Sequence, residues 1–291
     1  MKILNDLFTK YLRPRNRILT NPGGNKRYIH LQRPVMVQSK ILVDSLQINF
    51  DKLGNGPHPV LCMPGALGFI ESDFGPILNK FDTQKFTIIT WDPPGYGKSR
   101  PPNRDFSGGA KFFYRDANWA NNLMQALGYK KYSILGWSDG SNTAMVMGFK
   151  YPDAIKKLVL WGGNSFITQE DVNLYKKVEN IDNWSAGMKA PMIKMYGEEY
   201  FRQSWSAWTK LFVDIFETER GDLCKEGIKQ ILKPTLILHG MKDAMVPFEH
   251  AKYIHNNIKD SRLHVMPEGK HNLHIKFADE FIPIVQKFLE E

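Results

Sequence analysis

The chain has 291 residues, of which 42% are hydrophobic and 24% are charged, and this composition is typical of a globular protein with one sizeable core. No apolar run approaches the roughly 18 residues of a membrane-spanning helix, so we expect the folded part to be soluble. The formal net charge is +9, but residues 1–33 contain eight lysines and arginines against one acid and so carry +7 of it. The other 258 residues carry only +2, which argues against a basic nucleic-acid-binding surface on the folded part.

The first residues of the chain carry an apolar stripe at helical spacing, and Pro14 ends it. The stripe consists of Ile3, Leu4, Leu7, Phe8, Tyr11 and Leu12. A basic, acid-poor amphipathic N-terminus is typical of a mitochondrial transit peptide. We therefore predict that residues 1–35 form a basic extension that directs the protein to the mitochondrion. The alternative is a disordered basic extension of a cytoplasmic protein.

From about residue 36, short apolar runs alternate with longer amphipathic stretches, which predicts a mostly parallel sheet with helices on both faces. The run Thr235-Leu236-Ile237-Leu238 is continuously apolar, as expected of a strand that is buried on both sides. The predicted strands are residues 35–42, 46–53, 59–63, 86–91, 132–136, 157–161, 234–239 and 262–267. The predicted helices are residues 112–127, 142–150, 247–258 and 278–289.

Residues 165–230 interrupt this alternation, because they contain no convincing buried strand and many aromatic side chains. We predict a helical cap here, inserted before the last two strands, with the core formed by residues 36–164 and 231–291. The aromatic residues of this segment are Tyr175, Trp184, Tyr196, Tyr200, Phe201, Trp205, Trp208, Phe212 and Phe216. We expect most of them to pack the cap onto the core.

Cys62 and Cys224 are the only cysteines of the chain, and their separation matches no metal-ligand spacing. We predict two buried reduced thiols rather than a disulfide.

The strongest chemical signal is Gly136-Trp137-Ser138-Asp139-Gly140, which directly follows the predicted strand 132–136. It matches the G-x-S-x-G nucleophile elbow of the α/β-hydrolase fold, in which a strand turns sharply into a helix and exposes a serine hydroxyl. The turn forces the serine into a strained backbone conformation, and side chains two residues to either side would collide. We therefore predict an α/β-hydrolase fold with Ser138 as its nucleophile.

A serine hydroxyl needs a general base, and the base needs an acid that orients it. This fold supplies them in the chain order Ser, Asp, His. Asp243 follows the predicted strand 234–239 and His271 follows the last strand, and such carboxyl ends of strands are where catalytic groups gather. We predict that Ser138, Asp243 and His271 act together. His274, one helical turn after His271, is the rival base.

Acyl transfer also requires hydrogen-bond donors for the oxyanion of the tetrahedral intermediate. We predict the backbone N–H of Asp139, directly after the nucleophile, and the backbone N–H of Ala66, in the Gly-rich loop after strand 59–63. Asp92 precedes a second Gly-rich turn, Gly95-Tyr96-Gly97, which lacks the spacing of a phosphate-binding loop. We predict a structural role for Asp92 in fixing that turn.

The side chain of Asp139 places a carboxylate beside the nucleophile. It would repel acidic acyl groups and attract a cation, and an α-amino group is the natural cation close to an ester carbonyl. The alternative is that Asp139 caps the helix that begins here, and the two roles do not exclude each other.

Several segments of the chain are similar to the biphenyl hydrolase-like family, also called valacyclovir hydrolases. They are Phe74-Gly75-Pro76, Trp91-Asp92-Pro93, Gly95-Tyr96-Gly97, Ser99-Arg100-Pro101-Pro102, Arg104-Asp105-Phe106, Leu135-Gly136-Trp137-Ser138-Asp139-Gly140, Ser261-Arg262-Leu263-His264, the stretch 266–274, and Phe277-Ala278-Asp279-Glu280-Phe281. The resemblance implies a mitochondrial serine esterase that prefers α-amino-acid esters and is associated with thiolactone hydrolysis. It also implies the triad Ser138, Asp243 and His271, with Asp139 binding the substrate's amino group.

These observations predict a serine hydrolase that cleaves carboxylic esters, in particular α-amino-acid esters, through an acyl-enzyme. The chemistry requires no metal or organic cofactor, and we expect a monomer that acts on a small molecule. One alternative is a carbon–carbon bond hydrolase or general carboxylesterase of the same fold. A second alternative is a non-catalytic protein that uses the same scaffold to bind a ligand or a partner.

Overall fold

The computed structural model of the protein describes residues 17–20, 26–29 and 37–291, and it divides into two units at residue 36. In the first unit, strands β1 (Arg17–Thr20) and β2 (Lys26–Ile29) pair with each other in antiparallel orientation. The apolar stripe of residues 3–12 lies outside the described residues, so the transit peptide stays a prediction.

The second unit is built on a sheet of eight strands, in which Leu46–Leu53 runs antiparallel to the other seven. The strands are β3 (Val37–Val43), β4 (Leu46–Leu53), β5 (His58–Met63), β6 (Phe86–Trp91), β7 (Tyr132–Trp137), β8 (Ile155–Trp161), β9 (Thr235–Gly240) and β10 (Ser261–Met266). Their order across the sheet is β10-β9-β8-β7-β5-β6-β4-β3, which places the elbow strand β7 near the centre.

Successive residues of a strand point to opposite faces of a sheet, and the core follows this period. In β5, Leu61 and Met63 belong to one cluster of buried apolar side chains, whereas Val60 and Cys62 belong to another. Every residue of β6 and of β9 is buried, as the apolar run of residues 235–238 predicts for β9. The sheet therefore has a hydrophobic layer on each face.

Helices cover the sheet, and most are longer than two turns. The α-helices are α1 (Ile70–Asp73), α2 (Lys111–Ala126), α3 (Asp139–Lys150), α4 (Gln169–Val178), α5 (Ala186–Tyr196), α6 (Glu198–Thr218), α7 (Phe248–Asn257), α8 (Leu273–Lys276) and α9 (Ala278–Glu290). Across the described ranges of the chain, no helix is both long enough and apolar enough to cross a membrane.

Helices α4, α5 and α6 form the helical insertion between β8 and β9, as the sequence predicts. Its aromatic side chains pack mainly on each other: the rings of Trp205 and Trp208 stack at 4.6 Å, and Phe212 packs edge-on against Tyr175 at 4.9 Å. Phe212 also contacts Phe113 of α2 at 5.8 Å, which ties the insertion to the core. The domain boundaries at residues 165 and 230 stay a prediction.

Both cysteines are buried and free, which confirms the prediction of two reduced thiols. Burial in apolar surroundings raises the pKa of each thiol above its usual value. Neither cysteine is therefore a nucleophile at neutral pH.

Candidate active site

Ser138 lies at the turn between β7 and α3 with φ 55° and ψ −123°, a conformation that is strained for a residue with a Cβ. Its backbone N–H donates to the carbonyl of Trp161 on the neighbouring strand, at 3.0 Å. A Cβ at Gly140 would lie 2.1 Å from the Met63 carbonyl oxygen, and one at Gly136 would lie 2.6 Å from the Gly140 carbonyl oxygen. The two glycines therefore permit the tight turn that exposes the serine.

The structure brings His271 and Asp243 to Ser138. His271 lies in the turn between β10 and α8, with Nε2 at 3.1 Å from the Ser138 Oγ and Nδ1 at 2.8 Å from the Asp243 Oδ2. The other carboxylate oxygen of Asp243 accepts the backbone N–H groups of Met245 and Val246, at 2.8 and 3.0 Å. Burial by itself raises the pKa of Asp243, but the imidazole and these N–H groups outweigh it and lower the pKa below its usual value.

An ionised Asp243 can only accept hydrogen bonds, so the proton of a neutral His271 lies on Nδ1. The lone pair on Nε2 then faces the hydroxyl of Ser138 and can remove its proton. The backbone carbonyl of His271 accepts from the indole Nε1 of Trp137 at 2.9 Å, which anchors the loop beside the nucleophile. The arrangement can therefore generate a serine alkoxide for attack on a carbonyl carbon.

His274, the rival base, is fully buried, and both of its ring nitrogens are engaged elsewhere. Its Nδ1 accepts from the Trp161 indole at 3.0 Å, and its Nε2 donates to the Asp73 carbonyl at 3.0 Å. Burial lowers the pKa of His274 to about 3, so the ring is neutral. It is thus a structural side chain behind the site.

Asp92 is also fully buried, and it fixes the Gly-rich turn as predicted. Its carboxylate accepts from the Lys98 N–H within that turn, from the Ile70 N–H at the start of α1, and from the Asn49 side chain, each at 2.8 Å. These contacts join two loops and a strand, which is a structural role.

The two backbone N–H groups predicted for the oxyanion, those of Asp139 and Ala66, have no hydrogen-bond acceptor among the residues that the structure describes. Asp139 is the first residue of α3, so its N–H belongs to the free N-terminal turn of that helix. The loop of Ala66 lies against the nucleophile, since a Cβ at Gly65 would be 3.2 Å from the Ser138 Cβ. Both donors are therefore available beside the serine.

The carboxylate of Asp139 does not cap α3, and that alternative is wrong: the N-cap position is Ser138, and no side chain caps it. Instead, the Asp139 Oδ2 accepts from the indole Nε1 of Trp208, on helix α6 of the insertion, at 2.7 Å. Asp139 is 7% exposed, and burial raises its pKa to about 7, although the Trp208 hydrogen bond and the Arg104 charge oppose the rise.

Trp208 is a site residue that the sequence did not reveal, because its partner lies 69 positions away. Arg104 is another. Its guanidinium is buried between the rings of Tyr96 and Phe112, at 4.3 Å from each, and it pairs with Asp116. A lone arginine in a loop gives no signal of such a pair. Arg104 adds a permanent positive charge close to Asp139.

Comparisons with known proteins agree with this fold. A family model described as the α/β-hydrolase fold matches residues 58–206. The chain is 44% identical over 255 residues to the human protein named serine hydrolase BPHL, which covers 88% of this chain and 87% of the relative. It is 39% identical over 282 residues to the mouse protein of that name, covering 95% of this chain and 96% of the relative.

Among solved structures, the chain is similar to 2-hydroxy-6-oxo-6-phenylhexa-2,4-dienoate hydrolase from Rhodococcus sp. strain RHA1. The TM-score is 0.73 at 16% identity, over 88% of this chain and 99% of that chain. At this identity the likeness shows the common fold alone.

Proposed function

Because this chain belongs to the BPHL serine hydrolases of the α/β-hydrolase family, we propose that it hydrolyses carboxylic esters of α-amino acids through an acyl-enzyme on Ser138. The observation that carries the proposal is the buried carboxylate of Asp139, one residue from a serine that contacts His271. The similarity to named serine hydrolases favours an enzyme over a non-catalytic binding protein.

The surroundings of Asp139 suit an ammonium group. One of its oxygens accepts from Trp208, and the other has no hydrogen-bond partner among the described residues. The Trp208 ring lies within an aromatic cluster with Trp205 and Phe212, at 4.6 and 4.7 Å. The indole N–H of Trp208 donates to the carboxylate from the edge of the ring, so the attraction for a cation comes from the carboxylate charge. The α-amino group of an aminoacyl ester places such a cation one carbon from the reacting carbonyl.

In the acylation step, His271 takes the proton of Ser138 as the serine Oγ attacks the ester carbonyl carbon. Asp243 holds the Nδ1–H tautomer and stabilises the imidazolium that forms. The carbonyl oxygen becomes an oxyanion, which the N–H groups of Asp139 and Ala66 bind. His271 then gives its proton to the alcohol as the ester C–O bond breaks.

In the deacylation step, water replaces the alcohol and His271 again acts as general base. The second tetrahedral intermediate collapses to the free amino acid, and the proton returns to Ser138. Every proton moves between Ser138, His271, the substrate and water, so the cycle closes on this chain's own residues.

The experiment compares two esters that differ only in the amino group, the ethyl esters of phenylalanine and of 3-phenylpropanoic acid. Wild type should prefer the aminoacyl ester. Asp139→Asn keeps the shape and removes the charge, so it should lower kcat/KM for the aminoacyl ester roughly 10–100-fold through KM and change the plain ester little.

Asp51→Asn is the matched control, because Asp51 is a buried carboxylate on β4 that makes no contact with Ser138 or His271. It should leave the ratio between the two esters unchanged. Equal loss on both esters in Asp139→Asn would reject the amino-group site and favour a general carboxylesterase or a carbon–carbon bond hydrolase. Failure of a fluorophosphonate to label Ser138, with Ser138→Ala as the blank, would reject the nucleophile itself.

A further inference from the structure

The loop that carries Ala66 adopts a strained backbone next to the nucleophile. It turns within four residues, with the Gly68 N–H donating to the Gly65 carbonyl at 3.0 Å. Leu67 has φ 53°, in the left-handed region that residues with a Cβ rarely adopt. Such a conformation persists only where the surroundings hold it in place. Two side chains from different parts of the fold make the contacts that do so.

Asp73, at the end of α1, holds the first residue of this loop. Its Oδ2 accepts the Gly65 N–H at 2.8 Å, and its Oδ1 contacts the Ser72 hydroxyl at 2.5 Å. The loop wraps closely around the carboxylate, since a Cβ at Gly68 would lie 1.9 Å from the Asp73 Oδ2. Asp73 is 3% exposed, and its own carbonyl accepts from His274, so the carboxylate has little freedom to move.

Tyr196, the last residue of α5 in the helical insertion, holds the third residue of the loop. Its hydroxyl donates to the Leu67 carbonyl at 2.8 Å and accepts the Gly97 N–H at 2.9 Å. The ring packs edge-on against Phe69 at 6.0 Å and is 6% exposed. The hydroxyl is therefore fixed between two loops of the core.

These two contacts bracket Ala66: Asp73 binds the N–H before it, and Tyr196 binds the carbonyl after it. Together they leave the Ala66 N–H as a free donor beside Ser138. We propose that Asp73 and Tyr196 are positioning residues that set the Ala66 amide for the oxyanion, so that the helical insertion helps to build the catalytic centre. The inference rests on the proposed serine-hydrolase mechanism.

An oxyanion exists only in the transition state and the intermediates, so a misplaced donor lowers kcat and leaves KM almost unchanged. Tyr196→Phe removes one oxygen atom and keeps the ring. It should lower kcat on the order of tenfold, less than the about 10²–10³ that removal of an oxyanion donor costs.

Tyr200→Phe is the matched control. The Tyr200 hydroxyl also joins the insertion to a core loop, since it accepts the Arg104 N–H at 2.9 Å and donates to the Gly95 carbonyl at 3.3 Å. It does not contact the loop of residues 65–68. Its removal should keep kcat within about twofold of wild type.

Asp73 is tested with a pair of variants. Asp73→Asn retains an oxygen that accepts the Gly65 N–H, so it should restore most of the kcat that Asp73→Ala loses. Inhibition by phenylboronic acid, which forms a tetrahedral adduct on a nucleophilic serine, should weaken by the same factor as kcat/KM falls in Asp73→Ala and Tyr196→Phe.

If Asp73→Ala does not fold, the kcat of Tyr196→Phe and its inhibition by phenylboronic acid test the inference without it. A Tyr196→Phe enzyme with wild-type kcat and boronate affinity would overturn the inference. So would a Tyr196→Phe enzyme whose KM rises while its kcat stays at the wild-type value. A wild-type protein that hydrolyses neither ester would instead reject the proposed function, which keeps the two failures distinct.

Discussion

Asp139 combines two properties that oppose each other. Its burial, which raises the pKa to about 7, places it where a substrate cation loses its own hydration and binds strongly. The same burial makes the ionised form costly in the absence of that cation. The Trp208 hydrogen bond and the nearby Arg104 reduce this cost, so the carboxylate is half ionised near neutral pH.

This balance predicts a pH dependence of substrate binding. As pH falls below about 7, Asp139 gains a proton and its attraction for the substrate ammonium is lost, so KM for phenylalanine ethyl ester should rise. Above about 8, the α-amino group of the substrate itself loses its proton. KM should therefore be lowest between these limits, measured in steady-state assays across pH 5–9.

The plain ester and the Asp139→Asn variant provide the controls for this profile. KM for ethyl 3-phenylpropanoate should show no such dependence in wild type, and the acidic limb for the aminoacyl ester should disappear in Asp139→Asn. An acidic limb that persists in the variant would assign the titration to another group.

At the scale of elements, the central strands were predictable because they contain short apolar runs, such as residues 158–161 and 235–238, of the length that a buried strand needs. The predicted strand 35–42 is observed at Val37–Val43, and the predicted strand 262–267 at Ser261–Met266. Helix α3 begins at Asp139, three residues before the predicted start, because the elbow turns directly into the helix.

Short elements give no periodic signal in the sequence. Helix α1 has four residues, too few for a 3.6-residue period to be visible, and a tertiary contact from Asp92 to the Ile70 N–H fixes its start. The Ser–Asp–His order was predictable from local motifs at strand ends. The contact of Trp208 with Asp139 was not, because it depends on how the insertion folds back over the core.

The insertion is also attached to the core by a buried contact between Asp171 of α4 and His250 of α7. The His250 Nε2 lies 2.9 Å from the Asp171 Oδ2, and the two side chains are 1% and 0% exposed. Asp171→Ala should therefore destabilise the protein by about 3 kcal/mol, because it leaves a buried imidazole without its partner and removes the acceptor of the Thr168 N–H at the start of α4.

Thermal unfolding monitored by circular dichroism tests this, and the expected decrease in Tm is roughly 6–12 °C. Asp171→Asn, which keeps an acceptor oxygen, should show a smaller decrease in Tm. Asp182→Ala removes an exposed partner of Arg202 in the same insertion and should leave Tm nearly unchanged. Similar Tm values for Asp171→Ala and Asp182→Ala would show that the buried contact does not stabilise the fold.

At the scale of the whole molecule, several buried acids make folding stability depend on pH. Burial raises the pKa of Asp73 to about 7, of Asp92 to about 6 and of Asp139 to about 7, whereas the pKa of Asp243 is lowered. A group whose pKa is raised on folding stabilises the native state below its unfolded pKa, and this contribution is lost as pH rises through the folded pKa. The three acids whose pKa is raised therefore lower the free energy of unfolding as pH rises from about 4 to about 7.

Asp139→Asn should consequently be more stable than wild type at pH 8, although it loses its preference for aminoacyl esters. The asparagine retains an oxygen for Trp208 and has no charge to bury, so the gain should be about 4 kcal/mol, from a pKa shift of about three units. The gain should shrink toward zero as pH falls to about 4, where the folded carboxyl is protonated and the unfolded carboxyl is about half protonated. Urea unfolding of both proteins at pH 4, 6 and 8 measures it. An unchanged difference across this range would mean that Asp139 does not titrate within the fold. A gain that grows with pH would place Asp139 among the residues whose function is maintained at the expense of stability.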